Sequence, residues 1–362
     1  MMKIFKRKKV DYRDYIPNST LKVKETSIKQ HEYGIVDAHI HLGPRYVGEK
    51  FYERYDIHQF VKMMKDSGVC HAVDLQLFSE QYLDEVQTII KGYEDYFSFC
   101  APINVENFQD NEFETQMVDY MHRMSQRANV CGFKVWKDLG MSIKNRQGKL
   151  VKLSDPQFDV IWKTAGELKR PIVIHVADPK AFFEEVNERN ERFEELTCYP
   201  MWSYYGNVGH TDILKQFERV LEENKKTVFV AAHLISNASD LDYVGRMLEN
   251  YPNLNVDIAA VLSEIGRQPI TFRKFAEKFQ GRIIFGTDTF GGDPSYYPYY
   301  YRFLETDDEY FEYRPNHDYS QGRWRIYGCN LSNDALERIY FKNAERIFNL
   351  ARNTDEYPYT NA

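Results

Sequence analysis

Long apolar runs are missing from this chain. No stretch approaches the roughly 20 consecutive apolar residues that a membrane-spanning helix requires, so its 43% hydrophobic content is available to fill a core. Paired cysteines are missing too. The five cysteines, at positions 70, 100, 131, 198 and 329, show no paired spacing and leave one over, which counts against a disulfide or thiolate-metal scaffold. Cys70, Cys100 and Cys131 fall in apolar segments and read as reduced core thiols, the state expected of a cytoplasmic protein. Concentrated positive charge is equally scarce. A formal net charge of −7 opposes a nucleic-acid partner, which needs a basic face. The one basic run, Lys3 to Lys9, reads as a solvated tail. No apolar segment of roughly 7–15 residues follows it, so it is not expected to act as a secretory signal. A glycine-rich phosphate loop after the first apolar run is also lacking, which counts against an open nucleotide-binding sheet.

What the chain does have is a regular alternation. Residues 1–33 are polar and weakly patterned, and are expected to form an arm over the first part of the domain. From Gly34 onward, eight short apolar runs recur: Ile35–His39, Cys70–Leu77, Phe97–Asn104, Cys131–Trp136, Pro171–Val176, Thr227–His233, Leu254–Ala259 and Arg282–Thr287. Runs apolar on both faces suit the strands of a parallel sheet covered by helices. Between them lie amphipathic segments expected as helices: Ile57–Ser67, Glu80–Gly92, Phe113–Arg127, Pro156–Leu168, Asp212–Glu223, Ala238–Asn250 and Pro269–Phe279. An eighth, Ser332–Leu350, carries the stripe Leu336, Ile339, Tyr340, Asn343 and Ile347 behind Ser332 as N-cap. Eight strands alternating with eight helices predict an α/β fold, a single (β/α)8 TIM barrel over residues 34–350, with a C-terminal tail at 351–362.

Two connections are too long for this pattern. The segments after the fifth strand (Ala177–Gly209) and after the eighth (Thr289–Leu331) are insertions, and loops after barrel strands lie on the face where substrates bind. Both are rich in aromatic and charged residues, notably Tyr296–Tyr301. A packed lid, a homodimer contact and a wall of the substrate pocket all fit that composition.

Ionisable residues at the ends of apolar runs carry the chemistry. His39 and His41 close the first run two residues apart, so on a strand both imidazoles face the same way, an arrangement suited to a divalent metal. Lys134 interrupts the fourth run, His175 ends the fifth and His233 ends the sixth. Asp257 lies in the seventh, and Asp288 follows the eighth. Burying the four histidines and the carboxylate at the last strand without partners would cost several kcal/mol, and a shared metal satisfies them together.

Here the chain resembles a known family. His-x-His on the first strand, His on the fifth, His on the sixth and Asp on the eighth resemble the amidohydrolase superfamily. The wording Val36-Asp37-Ala38-His39-Ile40-His41, Phe229-Val230-Ala231-Ala232-His233 and Ile283-Ile284-Phe285-Gly286-Thr287-Asp288 is similar to its amidohydrolase-related branch of hydrolases and decarboxylases. Tyr340–Arg346 is similar to that branch's closing helix. The resemblance implies one divalent metal, zinc before manganese or iron, held by His39, His41, His175 and Asp288. It makes His233 a proton shuttle beside the metal-activated water, with Asp288 as the other catalytic group. Three nitrogens and one carboxylate with an open position suit zinc and a water of lowered pKa.

Asp37, facing the same way as His39, is expected to orient the site rather than to bind metal. Lys134 has two readings: an ammonium paired with Asp288 or Asp257, or a carbamylated bridge to a second metal, as the resemblance allows. Arg45 and Arg267 are candidates to clamp a substrate carboxylate, and Trp136 to wall the pocket. The resemblance implies a hydrolase first, acting on an ester, lactone or amide of a small substrate, because water attack is that family's commonest chemistry. A decarboxylase of the aminocarboxymuconate-semialdehyde type uses the same ligand set, and a metal-binding barrel without turnover is the third reading.

Overall fold

Residues 9–15, 17–28, 34–43, 51–76, 79–315 and 321–350 are described by the computed structural model. In it the apolar runs become parallel strands: β1 (Ile35–His41), β2 (Val69–Asp74), β3 (Phe97–Pro102), β4 (Val130–Val135), β5 (Ile172–Ile174), β6 (Phe229–Ala231), β7 (Leu254–Asp257), β8 (Ile283–Ile284) and β9 (Thr289–Phe290). They form one sheet in the order β8-β7-β6-β5-β4-β3-β2-β1-β9, every pair parallel. Both faces are covered, which is why β1 is buried along its whole length despite its aspartate and two histidines.

The eighth apolar run differs from expectation. Only Ile283–Ile284 of it forms a strand, β8, and β9 follows it at Thr289–Phe290; between them lie residues 285–288, where Asp288 takes a left-handed backbone conformation (φ 61°) that no ladder accommodates. β8 pairs with β7, and β9 pairs with β1 through Ile40–Thr289 and His41–Phe290. The stretch 283–290 therefore touches both ends of the strand order, and the sheet curls like a barrel. Gly286 allows the closest approach: a Cβ there would lie 2.6 Å from His39 Cβ, so only glycine lets this stretch press against the first histidine.

The helices follow their apolar spacing. In His210–Glu223, Ile213, Leu214, Phe217, Val220 and Leu221 form the buried stripe. Ser332 caps the closing helical segment by accepting the Ala335 N–H, and Asn343 within it donates to the carbonyls of Gln280 and Ile283. Among the described residues, no helix is long and apolar enough to cross a membrane.

The described part of the arm, residues 9–15 and 17–28, meets the two insertions. Asp308, in the insertion after β8, accepts the Thr26 N–H and hydroxyl at 2.6 and 2.9 Å. Tyr12 packs edge-on against Phe193 in the insertion after β5, and Arg323 donates to the Tyr15 carbonyl. A polar arm docks where buried charge offers it hydrogen bonds, and those charges belong to the two insertions.

One buried histidine outside the site makes stability depend on pH. His71 on β2 bonds the Asp95 carbonyl and Ser98 Oγ at 3.0 and 2.9 Å, and burial pushes its pKa down to about 4. The unfolded chain therefore binds its proton first, and stability falls as pH drops below about 6.5 towards 4. Urea unfolding at pH 7 and pH 5 should lose about 2 kcal/mol less in His71→Gln than in the wild type. Equal losses in the two proteins would contradict this.

Candidate metal centre

The polar residues of β1 are organised by Asp257, at the end of β7. Its Oδ2 lies 2.8 Å from His39 Nδ1, and its Oδ1 accepts the backbone N–H groups of His233 and Ala259 at 2.7 and 3.1 Å. The orienting role expected of Asp37 thus falls, for the His39 ring, to Asp257. Asp37 instead accepts the His39 backbone N–H at 3.1 Å and holds Thr287 and Tyr297.

Each of three histidines has one ring nitrogen tied, which leaves the other for chemistry. His39 Nδ1 is held by Asp257. His233 Nδ1 lies 2.8 Å from the Ala259 carbonyl, which only accepts, so this nitrogen carries the proton and Nε2 is left with its lone pair. His175 Nε2 lies 3.2 Å from Asp178 Oδ1, and Asp178 is gripped in turn by Lys137 at 2.5 Å. A carboxylate or carbonyl behind the ring is the arrangement that fixes a metal-binding imidazole.

Three of the four histidines, His39, His41 and His233, converge on Asp288. His41 Nε2 and His39 Nε2 lie 2.8 and 3.4 Å from its Oδ1, whereas His233 Nε2 faces its Oδ2 at 3.9 Å. Donors on a zinc-sized ion, at about 2.0–2.2 Å each, stand roughly 3 Å apart, so the residues fit a divalent metal. His39, His233 and Asp288 offer ligand atoms within 4.8 Å of one another. The His175 ring abuts that of His233, centroids 4.7 Å apart.

Electrostatics agree with a cation site. Burial alone would depress the His39 pKa, but Asp257 and then Asp288 override it and raise it to about 9. The carboxylates thus demand a positive charge, which a metal supplies as well as a proton does. Burial holds His41 and His233 down at about 4, and His175 is also lowered. Asp288 stays well below the usual carboxylate range: burial would raise it, but His39 and His41 lower it further.

The backbone around the site is strained. Residues 233–236 all have positive φ, between 53° and 63°, at about 1–2 kcal/mol each for a non-glycine residue. Asp257 and His210, which bonds the Ser236 carbonyl at 3.1 Å, hold this turn. Strand β6 therefore ends at Ala231, two residues short of His233.

A cleft of about 860 Å³ opens over these groups, lined by His41, Trp136, His175, His233, Asp288 and Phe290 among others. The His41 ring stacks between Trp136 and Phe290, with centroids 5.5 and 5.1 Å away. Lys134 is fully buried, its ammonium 5.3 Å from the Trp136 ring centroid. Arg267 does not clamp the cleft. It pairs with Glu191 at 3.0 Å and lies 4.1 Å from the Trp324 ring centroid, because the insertion after β5 offers it a carboxylate. Arg45 and the tail lie outside the described residues. Asp178 and Lys137 join the site beyond the residues expected from the sequence. The signal was there: Asp178 follows His175 by three residues, and Lys137 follows the fourth run directly.

A curled parallel sheet that gathers histidines and aspartates at the carboxyl ends of its strands has the layout of a barrel-enzyme site. The chain belongs to the amidohydrolase family, whose profile matches residues 36–350. No curated protein matches it. Among solved structures it resembles a putative amidohydrolase from Staphylococcus aureus, at 13% identity over 88% of this chain and 100% of that one, with a TM-score of 0.53. An uncharacterised TIM-barrel protein from Bordetella bronchiseptica shares 15% identity over 88% and 99%, with a TM-score of 0.51. The 2,6-dihydroxybenzoate decarboxylase from Rhizobium shares 13% over 88% and 99%, also at 0.51. At such identities the likeness speaks for the fold alone.

Proposed function

We propose that this protein is a metal-dependent hydrolase adding water to the ester, lactone or amide carbonyl of a small substrate, on a (β/α)8 barrel whose eighth strand is interrupted at Asp288. The observation that carries this reading is the division of Asp288: Oδ1 faces the histidine pair of β1, and Oδ2 faces His233. His39, His41, His175 and Asp288 Oδ1 would hold the ion. When bound, a divalent metal supplies Lewis acidity and a water acidic enough to lose a proton near neutral pH.

The chain's own residues supply the rest. Asp288 Oδ2 accepts the proton of the attacking water, and His233 Nε2 relays it towards the leaving group. Asp257 and Asp178 keep the His39 and His175 rings from turning. Trp136 and Phe290 screen His41 from solvent and flank the place where a substrate carbonyl meets Asp288. Several cations of the cleft wall are engaged by the protein's own acids: Lys137 by Asp178, Arg192 by Glu195 and Glu264, Arg323 by Glu194. That pairing favours an uncharged reacting carbonyl over an expelled carboxylate.

A decarboxylase is the second reading. The Trp136–His41–Phe290 stack would accept a planar acid, and Lys137 borders the cleft with its ammonium part-exposed. Product analysis separates the two. Lactones, aryl esters and hydroxybenzoate-type acids are offered to metal-loaded protein in ¹⁸O-water, and the expected result is label in a carboxylic acid product with no carbon dioxide. Carbon dioxide release without incorporated label would replace the hydrolase by a lyase.

A further inference from the structure

The insertion after β8 contains the helix Tyr297–Glu305, and two of its tyrosines reach under the site from one helix face, three residues apart. Tyr297, fully buried, donates its hydroxyl to Asp37 Oδ2 at 2.8 Å. The same carboxylate accepts the Thr287 hydroxyl at 2.6 Å, the Thr287 N–H at 3.2 Å and the His39 N–H at 3.1 Å. Asp37 therefore ties the backbone that carries His39 to the backbone immediately before Asp288, and Tyr297 pins that junction to the helix.

Tyr300 works on the other side. Its hydroxyl accepts the Ala260 N–H at 2.9 Å and lies 3.4 Å from the carbonyls of Thr287 and Ile258. Ala260 has a left-handed backbone (φ 54°). The neighbouring Ala259 holds both ends of the His233 arrangement: its carbonyl accepts from His233 Nδ1, and its N–H donates to Asp257. The two hydroxyls thus bracket Thr287 and Asp288, one towards β1 and one towards β7.

We infer that Tyr297 and Tyr300 are positioning residues that set Asp288 and His39 at metal-binding separation, so that the insertion after β8 is a brace for the metal centre as well as a wall of the cleft. The inference rests on the metal reading above. Asp288 is the ligand most in need of a brace, since it sits alone on a left-handed residue between two two-residue strands. Removing the Tyr300 hydroxyl takes the acceptor from the Ala260 N–H, and removing that of Tyr297 leaves Asp37 Oδ2 with one hydroxyl donor in place of two, so either change loosens that turn.

The test compares zinc affinity, by chelator competition, and the visible spectrum of cobalt-loaded protein across three single-atom variants. Tyr297→Phe and Tyr300→Phe should each weaken zinc binding by about tenfold, the scale of lost outer-shell partners, and shift the cobalt bands. Tyr301→Phe is the control: the same helix and equally buried, but its hydroxyl bonds the Ser67 carbonyl. It should bind zinc within about twofold of wild type. Thr287 tests the same junction independently of the helix, with Thr287→Val losing affinity and Thr287→Ser restoring it.

Equal weakening in Tyr301→Phe would reduce the effect to helix docking and overturn the inference. So would unchanged affinity in Tyr297→Phe, Tyr300→Phe and Thr287→Val while wild type binds tightly. That second outcome leaves the hydrolase reading standing, whereas a wild type that takes up no zinc sinks both.

Discussion

His175→Ala is expected to empty the proposed metal site: the purified variant should carry less than roughly a tenth of the metal found in the wild type, because one of the four proposed donors is gone. This ring is firmly held. Its Nε2 is 3.2 Å from Asp178, whose other oxygen is 2.5 Å from the Lys137 ammonium. Burial would raise the Asp178 pKa, but Lys137, followed by His175, lowers it well below the usual carboxylate range, so the anchor is a full negative charge. An imidazole anchored by one nitrogen presents the other in a single direction. Asp178→Asn keeps the ring but weakens the anchor, and its metal affinity should fall by about 10–100-fold. Metal content by plasma emission and affinity by chelator competition check both variants. Full metal occupancy in His175→Ala would remove His175 from the ligand set.

His233→Ala is expected to do the opposite, keeping most of the metal while lowering kcat by about 10²–10⁴-fold, the range of a lost acid–base group. His233 meets Asp288 at Oδ2, 3.9 Å away, on the oxygen that the β1 pair does not use. Burial first, then the His175 ring beside it, holds the His233 pKa down near 4, so the ring is neutral at pH 7 and Nε2 carries a lone pair. Turnover and metal content must be measured on the same preparation. The compact set of His39, His233 and Asp288 defines the contrary result: if His233→Ala loses its metal along with its activity, His233 is a ligand.

The parts of this protein that repeat were readable in the sequence. The eight apolar runs lie where strands form, and the strand ends carry the histidines and aspartates, because burial on both faces imposes one composition on every strand. Single backbone decisions were not readable. No local pattern announces that residues 233–236 turn left-handed or that Asp288 breaks the eighth strand, since those conformations are held by Asp257, His210 and the His39 carbonyl. Partner choice across long separations was hidden as well. Asp257 reaches His39 from 218 positions away and Tyr297 reaches Asp37 from 260, so no local pattern shows that Asp257 holds the His39 ring or that Tyr297 pins Asp37. The partner of Arg267 is hidden for a similar reason: Glu191 reaches it from an insertion with no repeat to predict its path.

Metal analysis of the wild-type protein after gel filtration tests the central claim most directly. One divalent ion per chain, removable by chelator and restored by zinc, is the predicted result. No bound metal, or two ions with Lys134 carbamylated, would contradict it.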